Sequence, residues 1–106
     1  SDSLNSKIKD TAQKLNKKIN IGMIHSSDVF YKDNNDFAYL FDKYGCLAVE
    51  MESFALFHNA KSLGKNAACI LTISDNLVTK EETTSQERQT AFTNMIEVAL
   101  DTVTNI

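Results

Sequence analysis

Proline is absent from all 106 residues and glycine occurs three times, so the breaks between elements depend on glycine and asparagine. Gly22, Gly45 and Gly64 lie far apart in the chain, which excludes a glycine-rich phosphate loop. Cysteine is scarce as well. Cys46 and Cys69 sit inside apolar runs without metal-ligand spacing, which speaks against a disulfide framework or a metal centre and for two buried free thiols. No run approaches the ~18 apolar residues of a membrane span, and no signal-peptide pattern opens the chain. These absences predict a soluble, cytoplasmic protein with no membrane partner. Blocks of like charge are missing too: the net charge is −3, and phosphate backbones are normally met by clustered lysine and arginine, so no nucleic-acid partner is expected. The only basic cluster, Lys7, Lys9, Lys14, Lys17 and Lys18, has helical spacing and is expected to be a solvated face.

What is present describes one ordinary globular domain, with 42% hydrophobic and 24% charged residues. Leu4, Ile8, Ala12 and Leu15 recur every three or four residues behind a capping serine, predicting an amphipathic helix over Ser3–Leu15. "INIGMI", Ile19–Ile24, predicts a strand. Phe37, Leu40, Phe41 and Tyr44 predict a helix that Gly45 closes in the left-handed region. "CLAVEM" follows as a second strand, and a helix over Ser53–Leu63 closes at Gly64. "AACILTIS", Ala67–Ser74, has the length and apolarity of a strand buried on both faces. Thr84 and Glu87 form a capping box that opens a last helix running to about Thr104. Helices alternating with strands place the chain in the α/β class, with a parallel or mixed sheet covered on both faces.

In such sheets ligands gather at the carboxyl ends of strands, and three ends offer chemistry. The first carries Phe30 and Tyr31; the second Glu50, Met51 and Glu52; the third Ser74, Asp75 and Asn76. Carboxylates near a helix N-terminus are favoured by its dipole, which accounts for Glu52 better than for Glu50. A carboxylate also suits a sugar diol, because its two oxygens accept hydrogen bonds from adjacent hydroxyls. Asp75 either starts a turn or, if desolvated, serves as a proton donor. Arg88 opposes the dipole of the helix it opens, which an ion pair, with Asp75 as a candidate partner, would offset. His25 and His58 read as structural, and Ser26 and Ser27 lack the acid partner and elbow motif of a hydrolase triad.

Taken in order, "DVFY", "YGCLAVEMES", "TISDN" and "TTSQERQTAF" closely resemble the carboxy-terminal part of the bacterial high-molecular-mass purine nucleoside phosphorylases. The resemblance runs across nearly the whole chain. Within the nucleoside phosphorylase superfamily, the VEME run, the Ser-Asp pair and the ERQ triplet are specific to this type in combination. It implies a three-layer α/β/α fold with a mixed, mostly parallel sheet. It also implies that Phe30 stacks on the purine, and that Val49, Glu50 and Met51 line the base and sugar pocket. Glu52 would accept hydrogen bonds from the ribose 2′ and 3′ hydroxyls. Ser74 and Asp75 would face the purine edge, Asp75 protonating N7 as the glycosidic bond breaks, with Arg88 moving in to pair with it. The ligand's hydroxyls would then satisfy the two glutamates.

The implied reaction converts a purine ribo- or deoxyribonucleoside and inorganic phosphate into free base and pentose 1-phosphate, with no cofactor or metal. The family's chain is about twice as long, and its phosphate-binding glycine, arginines and serine lie in an amino-terminal half without counterpart here. Residues 1–106 are therefore expected to be the carboxy-terminal half of the domain, carrying the nucleoside half of the site and inactive alone. The family is a homo-oligomer, hexameric in full, whose subunits borrow a histidine and an arginine from a neighbour. Two other readings stay open. Hydrolytic nucleosidases of the same superfamily have acidic and Ser-Asp motifs, although "TTSQERQ" speaks for the phosphorylase. A non-catalytic module that binds nucleoside or self-associates is the other.

Overall fold

The computed structural model describes residues 1–29, 36–77 and 79–105. Among them the elements run α1 (Asp2–Lys14), β1 (Met23–Ser26), α2 (Asp36–Tyr44), β2 (Cys46–Glu50), α3 (Ser53–Ser62) and α4 (Ser85–Thr104). Every predicted helix is present. Ser1 caps α1 by accepting from the Leu4 N–H (3.3 Å), and the helix stops where Asn16 takes φ 55°. There the Lys17 N–H reaches the Ala12 carbonyl (2.8 Å) and the Asn16 N–H that of Gln13 (3.1 Å), a Schellman closure with asparagine in glycine's place. The ends of α2 and α3 use the two predicted glycines, Gly45 at φ 69° and Gly64 at φ 66°. The Thr84–Glu87 capping box at α4 forms with both of its hydrogen bonds.

β1 and β2 pair in parallel, His25 opposite Val49 and Ser26 opposite Glu50. The Ser27 N–H extends the ladder to the Glu50 carbonyl (2.8 Å). The first strand thus lies later than the apolar run Ile19–Ile24 suggests. Ile21 and Met23 are exposed, and the ladder starts only where Cys46–Glu50 offers a neighbour.

The larger correction concerns Ala67–Ser74, which joins no ladder among the described residues. Its apolar residues are at most half-buried, and Leu71 and Ile73 are exposed. A strand exists only by pairing, and no described strand lies along this run to satisfy its backbone. It is held instead by isolated bonds, from the Thr72 hydroxyl to Met95 Sδ (3.3 Å), from Ser1 nitrogen to the Ala67 carbonyl (2.8 Å) and from Thr83 to the Ser74 carbonyl at the run's end. The two-stranded sheet is likewise not covered on both faces: Met23 and Leu47 remain exposed.

The tightest packing joins α1 to α4 through Ala12, Thr11, Val98 and Thr102, all buried. Thr11 and Thr102 turn their hydroxyls back to the carbonyls of Lys7 (2.8 Å) and Val98 (2.7 Å). Two of the five basic residues expected on a solvated face tie this seam. Lys14 lies 3.6 Å from Asp101, while Lys17 lies 3.6 Å from Glu97 and donates to Asn94 (2.9 Å).

Candidate functional site

The β2–α3 connection is a tight turn, because β2 ends at Glu50 and α3 begins at Ser53. The first N–H groups of a helix have no partner within it. Here Glu50 supplies one, although it lies two residues before the N-cap. Its Oε2 accepts from the N–H groups of Glu52 and Ser53, both at 2.6 Å, and its Oε1 accepts from the Ser53 hydroxyl. Across the ladder, the Ser26 hydroxyl accepts from the Phe54 N–H (3.2 Å). Burial alone would push the Glu50 carboxyl up, but hydrogen bonds from Ser53, from the backbone of Glu52 and Ser53, and from Ser26 together hold it below the usual glutamate value.

Glu52 occupies the N-cap position and makes no side-chain capping bond; its Oε2 accepts from the Met51 N–H (3.2 Å). The sequence reading, in which Glu52 serves the helix and Glu50 lacks a structural reason, is therefore reversed. Partners that a ligand's hydroxyls were expected to supply to Glu50 come from the protein itself. Met51 and Glu52 are exposed, and Val49 is half-buried on β2 opposite His25.

Burial and then the charges of Glu50 and Glu52 push the Cys69 thiol up. Both cysteines are free as predicted, but half-buried rather than buried.

Five residues beyond Cys69 a second cluster forms. Asp75 bridges Glu82 in antiparallel fashion, with the Asn76 N–H bonded to the Glu81 carbonyl (2.8 Å) and the Thr83 N–H to the Ser74 carbonyl (3.0 Å). The Thr83 hydroxyl also donates to that carbonyl (2.6 Å). The Ser74 hydroxyl donates to Asp75 Oδ2 (3.0 Å). Asp75 itself is exposed, so the chain alone does not supply the desolvation expected of a proton donor.

Arg88, half-buried in the second turn of α4, donates to the Thr83 carbonyl (2.6 Å) and the Ser85 hydroxyl (3.3 Å). The predicted ion pair with Asp75 is not made here; Thr83, bonded to both Ser74 and Arg88, stands between them. Phe30 and Tyr31 lie outside the described residues.

Sequence reading weighed Ser26 only as a candidate for a hydrolase triad, and missed the roles of Ser53 and Thr83. Ser53, directly before an apolar helix, carried a capping signal; Ser26 and Thr83 act through strand register and loop closure, which spacing does not reveal. His58 is exposed and stacks on Phe54, their ring centroids 6.1 Å apart. Among the described residues, no three His, Cys, Asp or Glu side chains group as metal ligands, and no helix is long and apolar enough to cross a membrane. Two shallow depressions flank α1, one beside Lys9, Ala12 and Ile19 and the other beside Lys14, Asp101 and Thr102. Neither contains a predicted site residue.

A family model described as the phosphorylase superfamily matches residues 1–106. Among curated relatives, the chain is similar to the DeoD-type purine nucleoside phosphorylase of Clostridium beijerinckii, 52% identical over 86 residues, which cover 81% of this chain and 36% of that protein. The protein of the same name from Geobacillus sp. is 47% identical over 89 residues, 84% of this chain and 37% of the relative. That from Colwellia psychrerythraea is 44% identical over 101 residues, 95% of this chain and 43% of the relative. The chain thus spans about two-fifths of the length of the relatives it matches. A superfamily match along its whole length, with relatives near 50% identity over most of it, places this chain in the phosphorylase superfamily.

Proposed function

We propose that the natural protein carrying these residues cleaves purine nucleosides with inorganic phosphate, releasing the free base and a pentose 1-phosphate. The observation that carries the reading is that the chain forms two polar groups of residues. One is an acidic turn after β2; the other is a Ser74–Asp75 loop closed by Thr83 onto Arg88. Relatives that share most of this chain bear the name purine nucleoside phosphorylase.

In this reading residues 1–106 are the carboxy-terminal half of the domain and the nucleoside half of the site. Phe30 stacks on the base, Val49 and Met51 line the pocket, and Glu52 accepts from the sugar hydroxyls. Cleavage leaves positive charge on the sugar and negative charge on the base, so a proton given to the leaving purine lowers the barrier. Asp75, beside Ser74, gives that proton to N7. Arg88 turns from the Thr83 carbonyl to the Asp75 carboxylate as the site closes, which stabilises the carboxylate that proton transfer leaves behind. Phosphate is the only co-substrate, bound by residues outside this chain, and no cofactor is needed. The protein works in the cytoplasm as a homo-oligomer, a hexamer in its full form.

The test is phosphate dependence. The full natural product should release hypoxanthine from inosine only when phosphate is present, and the 106 residues alone should release none. Release that continues without phosphate would make the protein a hydrolytic nucleosidase, and no release under either condition would overturn the enzymatic reading.

A further inference from the structure

We infer that Ser26 and Glu50 are positioning residues: they fix the Met51–Glu52 turn, and through it the carboxylate of Glu52, without contacting the nucleoside themselves. The inference rests on the reading of this turn as the sugar subsite and deepens it. Both oxygens of Glu50 are already committed. Oε2 holds two backbone N–H groups at 2.6 Å and Oε1 holds the Ser53 hydroxyl. Charge-assisted bonds of this kind are among the stronger ones a protein makes, and a sugar diol spanning both oxygens of Glu50 would have to displace at least one of them.

Glu52 is placed differently. It is exposed, and its Oε1 makes no hydrogen bond among the described residues, while Oε2 accepts only from the Met51 N–H. Of the two acids it is the one with capacity for a ligand. What keeps it there is the capping of the residues around it: Glu50 grips the N–H groups of Glu52 and Ser53, and Ser26 grips that of Phe54. The strand register that sets Ser26 opposite Glu50 joins these grips, so three successive backbone N–H groups are held by two side chains from neighbouring strands.

The experiment is a mutant cycle in the full natural product, read by the affinities for inosine and 2′-deoxyinosine. Glu52→Gln and Glu50→Gln should each weaken inosine about tenfold, the loss of one hydrogen bond to a charged group. Acting through one another, they should couple: the double variant should bind inosine within about twofold of Glu52→Gln alone. 2′-Deoxyinosine should lose less in every case. Ser26→Ala should reproduce the Glu50→Gln effect, and Ser26→Thr, which keeps the hydroxyl, should restore it. Losses that multiply in the double variant would mean that Glu50 touches the sugar, and overturn the inference. Amide exchange at Glu52, Ser53 and Phe54, measured without nucleoside, gives a second reading. It should accelerate in Glu50→Gln and in Ser26→Ala, and unchanged exchange would overturn the inference whatever the phosphate assay shows. A protein that binds inosine but ignores phosphate would defeat the phosphorolysis reading and leave the cycle intact.

Discussion

Glu50 and Glu52 look alike in the sequence, two acids on either side of a methionine, yet their surroundings assign them different work. Glu50 is drawn inward by the N–H groups of the turn it precedes, and those bonds outweigh the cost of its partial burial. Its folded value is depressed, so its contribution to stability is present above the ordinary glutamate value and is lost as pH falls below about 4.5. Melting the full natural product and its Glu50→Gln variant from pH 6 downward should show an advantage for the unsubstituted protein that shrinks on acidification. A constant difference across that range would mean that the capping bonds do not depend on the charge. Spacing could not have separated the two roles, because a cap is sought at the N-cap position and this one reaches from two residues earlier across a tight turn. Asp75 and Arg88 were legible as a candidate pair, but the Thr83 carbonyl between them was not, since Thr83 meets Ser74 only through loop closure.

Helices were legible where their signals are local. The capping box at Thr84 and the left-handed glycines at positions 45 and 64 fall where the pattern puts them, because each depends on residues within a turn of one another. Strands are not local in this sense. Cys46–Glu50 forms because Met23–Ser26 lies beside it, and β1 begins later than its apolar run suggests. Ala67–Ser74 is the most apolar strand candidate in the sequence and forms none, for want of a ladder neighbour among the described residues. Apolarity states that a segment should be covered; only a partner makes it a strand. Lys14, at the end of α1, and Lys17, just beyond it, carry the same lesson, since both reach acids on α4.

Taken whole, the molecule is more open than its size requires. It exposes 8332 Å², against about 5,900 Å² for a folded monomer of its mass. Its radius of gyration is 14.9 Å, where about 13 Å is usual for this length. Helix α4 shows why. It buries Val98 and Thr102 against α1, while Phe92, Ile96, Leu100 and Val103 form an exposed stripe on its other side. A helix apolar on both sides is normally an interior one. Phe54 and Leu63, at the two ends of α3, are more than 70% exposed, and among the described residues no third strand pairs with either edge of the sheet. Patches and edges of this kind recruit partners. The 106 residues studied alone should therefore self-associate, their sedimentation coefficient rising with concentration across the micromolar range. A constant monomer value would show that these faces are less sticky than their composition implies.

The role proposed for Asp75, protonation of the purine leaving group, is open to one kinetic test. The most direct measurement is the rate of inosine phosphorolysis by the full natural product with Asp75→Asn. General acid catalysis contributes about 10²–10⁴-fold, so kcat should fall at least about a hundredfold with KM little changed. An unchanged kcat would contradict it and remove Asp75 from the reaction.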